Sequence, residues 1–380
     1  MNDRRSATRL VSIDLLRAVA IVLMTLVHFV ENLAGSYGVD GGPFIGANRY
    51  WWVPTGLAAP LFTFLAGLSY RLSADAHAAR GLPSEEISKI TVRRGLFLIL
   101  LGLVFNVVVW MPEDVFNWDI LTLIGTAMLA LDAARRAPPA VVLVAIALLV
   151  GLAPALRGIA DYDTFWSSGY YDYELTLGEV ATGFLVTGYF PVFPWLALPL
   201  TGFLAAPYLY GPSASATGRG SRLPWIAGAG LLATAVAVIV AGPFLPVRPS
   251  SARTPWSMFP PTTAYVVGMV GGIILAAAAL HHTLDRKDRE DRCVLRMAGA
   301  LSRHSLSIYL LHHVIHLWPL WIVGFIVNGE PTSLWQVAMP VWMAIALAAV
   351  FLPLATYVAR RMDRPGAPSA EACLRWLCEP

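Results

Sequence analysis

Apolar stretches recur along the chain near residues 10–33, 51–72, 94–111, 118–134, 139–156, 188–209, 224–243, 263–283, 303–327 and 334–358, with polar segments between them. Crossing about 30 Å of hydrocarbon takes about 20 helical residues, and each stretch approaches that length. The pattern predicts an all-α polytopic membrane protein, with about ten transmembrane helices in a single domain over 1–380. Pro54 and Pro60 in the second stretch, Pro191, Pro194 and Pro199 in the sixth, and Pro319 in the ninth are predicted kinks. Gly228 and Gly230 sit inside an apolar stretch and predict helix contacts rather than a nucleotide-binding loop.

Charge orients the pattern. With the N-terminus inside, all 27 basic residues except Arg49, Arg157, Arg248 and Arg253 fall in cytoplasmic segments. Both the N-terminus and the C-terminus are therefore expected in the cytoplasm, and eight or nine spans would break the alternation. Arg4, Arg5 and Arg9 before an apolar run imitate a signal peptide. Asp14 and Arg17 interrupt that run and no small-residue cleavage site follows, so it reads as a retained first helix. The segment 210–223 reads as a flexible cytoplasmic linker. The longest external loop, about 157–187, combines aromatics such as Trp166, Tyr170 and Tyr171 with carboxylates such as Asp172 and Glu174.

Composition agrees with this class: 57% of residues are hydrophobic and 13% charged, too little charge to coat a soluble surface. A net charge of +3 makes no case for nucleic acid. Cys293, Cys373 and Cys378 show neither a disulfide framework nor zinc spacing.

Ionisable side chains inside a span are costly and mark a polar interior or a pathway. The first span carries Asp14, Arg17 and His28. Asp14 and Arg17 are spaced to pair on one face. Arg17 and His28 are eleven residues apart, about 20° past three full turns, so they share that face about 16 Å apart along the axis. The plainer alternative is an interfacial ion pair and a packing histidine, but three such groups on one face favour a polar stripe. The ninth span places Tyr309, His312 and His316 on a second stripe, with His313 beside it. His312 and His316 have a spacing that can hold a metal. No carboxylate or cysteine accompanies them, so packing histidines or the wall of a substrate tunnel are the readings kept, and no metal is expected. Asp119, at the start of the fourth span, either caps that helix or faces the outer cavity. Asn106 reads as packing glue, and Trp51, Trp52, Trp110, Trp118 and Trp195 as an interfacial aromatic belt.

Arg17, ten residues and His28 resemble the arginine-x10-histidine signature of the acyltransferase-3 group. The fuller opening, R-L-V-S-I-D-L-L-R-A-V-A-I-V-L-M-T-L-V-H, looks more like the heparan-α-glucosaminide N-acetyltransferase-like family of bacterial membrane acyltransferases. P-L-F-T-F-L-A-G at 60–67, W-D-I-L-T-L-I-G at 118–125 and Y-F-P-V-F-P-W at 189–195 are similar to the same family, and S-L-S-I-Y-L-L-H-H at 305–313 resembles both groups. The resemblance implies a multi-pass enzyme of the cell (inner) membrane that takes an acyl group, usually acetyl from acetyl-CoA, and passes it to a sugar across the membrane. His28 would hold the catalytic position, with Arg17 and Asp14 beside it. This sequence departs from the lysosomal enzyme it resembles, where an asparagine stands in the place of His28 and a histidine follows further along. No further histidine follows here before Gly42.

The residues suit that chemistry. A histidine can remove the acceptor's proton or hold the acyl group briefly. Phosphates of an acyl-CoA donor need cations, and Arg71, Arg93, Arg94 and Arg303, with Arg17, are placed to ring the cytoplasmic mouth. Asp119, Tyr309, His312 and His316 are the candidate substrate-binding groups. Expected partners are the acyl-CoA donor, a carbohydrate acceptor and membrane lipid, with a homodimer left open and nucleic acid excluded. The alternative reading is a transporter or flippase for a polar solute or lipid-linked sugar. A scaffold whose polar residues only lock helices together is the third.

Overall fold

The computed structural model describes residues 10–34, 56–211, 221–241, 255–285 and 293–378. Among them there is no strand, and the architecture is all-helical. The principal helices are α1 (Val11–Ala34), α2 (Ala58–Ala79), α3 (Ser84–Val109), α4 (Ile120–Arg136), α5 (Pro139–Ile159), α6 (Ala197–Tyr210), α7 (Leu223–Ala241), α8 (Thr263–Leu280), α9 (Cys293–Arg303), α10 (Ser305–Asn328), α11 (Val341–Met362) and α12 (Ala370–Cys378).

Eight segments among the described residues are long and apolar enough to cross a membrane, against the ten predicted. They are α1, α3, α5, the broken run Leu177–Tyr210 that ends in α6, α7, α8 extended to Asp285, α10 and α11. The two that fall short are α4, with 17 residues, and α2, whose second half carries Arg71, Asp75 and His77. The second predicted stretch is displaced towards the C-terminus, and residues 51–55, with Trp51, Trp52 and Pro54, lie outside the described residues. Helix α3 starts ten residues earlier than its apolar run, because Glu85 and Glu86 suit the positive end of a helix dipole. The polar segment before the ninth stretch folds separately as α9, and α11 starts only after Pro340. The sixth stretch is broken as its prolines predict: Phe193 leaves helical geometry inside the short turn Val192–Trp195 that precedes α6.

Glycines set the closest helix contacts. A Cβ on Gly67 of α2 would lie 1.8 Å from the Pro199 carbonyl oxygen, and one on Gly202 of α6 would lie 2.0 Å from that of Phe64. Gly95 of α3 and Gly125 of α4 face each other in the same reciprocal way, as do Gly228 of α7 and Gly271 of α8. Backbones approach this closely only where no side chain intervenes, which is how helices associate when lipid removes the hydrophobic drive. Gly228 thus behaves as expected, whereas Gly230 meets nothing within 4 Å.

The outward surface is apolar. Leu143, Val144, Ile226, Val236, Ile326 and Val350 are all exposed, as lipid-facing positions should be. Trp195 departs from the expected aromatic belt: it is wholly buried, packed edge-on against Phe190 and Tyr265. The start of α1 is closed from a distance. Asp285 accepts from the Ser12 amide at 2.9 Å and from its hydroxyl at 2.5 Å, and the His281 ring lies 2.8 Å from the same carboxylate.

Candidate active site

A cavity of about 900 Å³ runs between the helices. Its walls include Ile87 and Asn106 of α3, 19 residues and so about 28 Å apart along the helix, close to a bilayer's hydrocarbon thickness. Arg17, His28, Asn106, Asp119, Tyr309 and His313 all line it. Of the stripe expected on α1, Arg17 and His28 open into one cavity, and Asp14 does not line it.

Two rungs join α1 to α10. Nδ1 of His28 lies 2.8 Å from Nε2 of His312, and Nδ2 of Asn32 lies 2.9 Å from Nε2 of His316. Both rungs climb together, 28 with 312 and 32 with 316, so α1 and α10 run parallel. The His28 and His312 rings are 13° from coplanar with centroids 5.1 Å apart, which is edge-to-edge contact along the nitrogen lone pair and not face stacking. Each α10 histidine also turns Nδ1 to the carbonyl one turn back: His312 to Ile308 at 3.2 Å, His313 to Tyr309 at 3.2 Å and His316 to His312 at 2.5 Å. Asn32 Oδ1 in turn accepts from the Trp335 indole at 3.1 Å, which fixes its amide so that Nδ2 points at His316.

His312 and His316 are buried behind this wall and do not reach the cavity, contrary to the expectation that they bind substrate. His313, which the sequence left beside the stripe, does line it, and its ring lies 4.6 Å from that of His28. A hundred degrees of rotation separates neighbours on a helix, and only the placement of α1 and α3 decides which neighbour faces the space. One nitrogen each from His28, His312 and His313 falls within 4.8 Å of the others. The 2.8 Å His28–His312 separation is a hydrogen bond, shorter than the roughly 3.3 Å that tetrahedral ligation at about 2.0 Å demands.

The basic end is built from α1, α2, α3, α9, α10 and α12. Arg17 donates to Ser302 at 2.9 Å and to Ser69 at 2.7 Å, which holds its guanidinium across the mouth. Asp14 is buried beside α9, and its charge acts on Arg303. Arg94 and Arg303 line the cavity, but two of the four arginines expected at the mouth do not. Arg71 is held by Asp75 at 2.9 Å and lies over the Phe203 ring, and Arg93 points outward. Arg303 grips Asp363 with two bonds of 2.6 Å, which holds that carboxyl below its usual range. Helix α12 closes over this end. Glu371 accepts from the amides of Leu306 and Ser307 at 2.8 and 3.0 Å and from the Ser307 hydroxyl at 2.6 Å, capping α10. His304 joins the same network through Asp363 at 3.1 Å.

The far end is aromatic and acidic. Trp110, Tyr170, Tyr171, Tyr189 and Trp335 line it, with Glu31, Glu113 and Asp114. The 157–187 segment supplies aromatics as expected, but its carboxylates stay outside the cavity and the acidic groups come from α1 and the α3–α4 connection. Burial pushes the Asp114 carboxyl up. Asp119 satisfies both readings offered for it: one oxygen accepts from the amides of Leu121 and Thr122 at 3.1 Å each, capping α4, and the other accepts from the Tyr309 hydroxyl at 3.2 Å inside the cavity.

No curated protein matches the chain significantly. Residues 9–236 match the family described as heparan-alpha-glucosaminide N-acetyltransferase, catalytic. The match takes in α1 with Arg17 and His28, helices α2 to α6 and most of α7, and it ends before α10. With apolar membrane-length helices around a cavity that holds Arg17 and His28, and a family match over more than half its length, the chain belongs to the heparan-α-glucosaminide N-acetyltransferase catalytic family of membrane acetyltransferases.

Proposed function

We propose that this chain is a ten-span acyltransferase of the inner cell membrane, with both termini cytoplasmic, that carries acetyl from cytoplasmic acetyl-CoA to a sugar on the external side. The observation that carries the reading is one cavity with cations at one end, aromatics and carboxylates at the other, and His28 on its wall between them. Parallel α1 and α10 are what a first and a ninth span require, which supports the alternation counted from charge.

At the basic end Arg17, Arg94 and Arg303 suit the phosphates of an acyl-CoA. Arg71 and Arg93 are set aside as donor ligands, because neither faces the cavity. At the acidic end flat aromatic faces suit a sugar ring, and Glu31, Glu113 and Asp114 accept from its hydroxyls or attract an amine. Asp119 and Tyr309 would contact substrate deeper in the cavity.

His28 is the base. As the acceptor oxygen or nitrogen attacks the thioester carbonyl, its proton passes to Nε2 of His28. The C–S bond then breaks, and the departing thiolate takes that proton, which restores the neutral ring and releases free coenzyme A. Asp14 and Arg17 order the donor side and do not transfer the proton.

His28→Ala in proteoliposomes should stop release of coenzyme A from acetyl-CoA in the presence of an amino-sugar acceptor, and full activity would remove the mechanism. A cavity this long also fits a transporter or flippase. That reading predicts solute accumulation with no thioester consumed, so the same assay separates the two.

A further inference from the structure

We propose that His312 is a positioning residue, whose only task towards the reaction is to hold His28 in the tautomer that leaves Nε2 bare in the cavity. The inference rests on the reading of His28 as base, and it concerns a helix outside the stretch that matches the family.

The direction of each hydrogen bond decides it. A carbonyl oxygen only accepts, so the contact with Ile308 places the His312 proton on Nδ1. In a neutral imidazole the other nitrogen is then an acceptor, and it is the one 2.8 Å from Nδ1 of His28. Nδ1 of His28 must therefore donate, and Nε2 carries a lone pair and no proton. His28 is half-buried on the cavity wall, whereas His312 is fully buried and off it. His312 acts only through His28.

Its neighbours make the arrangement rigid. His316 bonds the His312 carbonyl and is itself held by Asn32, which Trp335 holds in turn. The chain of donors runs from the aromatic end of the cavity to α10 without a reversal, so no member can change tautomer alone. When His28 takes the acceptor's proton, its Nδ1–H still points at a neutral acceptor, and the cation that forms keeps its partner. Without His312 either ring nitrogen can carry the proton, and the tautomer with Nε2 protonated has no base in the cavity.

The test compares His312→Phe, which removes the acceptor, with His312→Gln, whose Oε1 can still accept from Nδ1 of His28. Both are measured for kcat and for KM of acetyl-CoA and acceptor, alongside His28→Ala. His312→Phe should lower kcat at least tenfold with each KM within about twofold, and His312→Gln should keep at least a third of the wild-type kcat. Equal losses in both variants, a loss confined to KM, or a His312→Phe enzyme with more than half its kcat would each overturn the role. If His312→Phe is not monodisperse after purification, His312→Gln decides alone, and a tenfold loss there counts against the proposal. Activity in His28→Ala would fault the base itself, while an inactive His28→Ala beside an intact His312→Phe faults only the positioning.

Discussion

The two ends of the cavity are built from opposite materials. The basic end is held by short polar contacts between helix termini: Arg17 to two serines, Arg303 to Asp363, Glu371 to the start of α10. The far end is held by ring packing, with Trp166 against Tyr162, Tyr189 and Phe259, and Trp335 against Tyr170 and Trp110. Charged groups at the first end can release their partners for a phosphate at little net cost, because one charge-assisted bond replaces another. The apolar ring faces at the second suit a neutral sugar face. The difference teaches that the molecule is polar along its axis, and His28 sits where the two chemistries meet.

The largest effect that would break this comparison is at the junction. His28→Ala should lower kcat about a hundredfold or more, the usual worth of a general base, with KM at both ends nearly unchanged. At the basic end, neighbouring arginines give a sharper contrast than distant ones. Arg94→Ala should raise KM for acetyl-CoA about tenfold, roughly the worth of a charge-assisted hydrogen bond, and leave KM for the acceptor alone. Arg93→Ala, one residue away and facing outward, should change either KM less than about twofold. Equal effects would show that the cavity does not select between them.

At the aromatic end the roles exchange. Trp335→Ala should raise KM for the acceptor several-fold and leave that for acetyl-CoA unchanged, with the smaller effect reflecting stacking worth about 1 kcal/mol. The smallest effect belongs to pH. Arg303 holds the folded-state pKa of Asp363 below its ordinary value of 3.8, so that carboxylate stabilises the fold above that value and stops doing so as pH falls through the lower one. The pair is partly exposed, so screening leaves about 0.5 kcal/mol. Thermal melts of Asp363→Asn and wild type should differ slightly at pH 6 and converge towards pH 3.

Much of this was legible in the residues. Helical rotation alone put Arg17 and His28 on one face, and the motif at 118–125 contains both the α4 cap Asp119 and the crossing glycine Gly125. Prolines 191, 194 and 199 announced the break before α6. What stayed hidden depends on partners far along the chain. Whether Arg93 or Arg94 faces inward is set by the packing of α3 on α4, and whether His312 or His313 reaches the cavity is set by α1 and α3. Nothing in the local pattern of α12 shows that Glu371 caps a helix more than sixty residues earlier. The shortfall from ten apolar segments to eight has two causes: α4 is only 17 residues long, and the second half of α2 carries Arg71, Asp75 and His77.

The most direct measurement places radiolabelled acetyl-CoA on the cytoplasmic face of sealed proteoliposomes and an amino-sugar acceptor only in the compartment facing the aromatic end. Wild-type protein should deliver label to the enclosed acceptor, and His28→Ala should deliver none while leaving the vesicles equally sealed. Label reaching only an acceptor on the same side as acetyl-CoA, or reaching the enclosed one equally well in both proteins, would contradict transfer through this cavity.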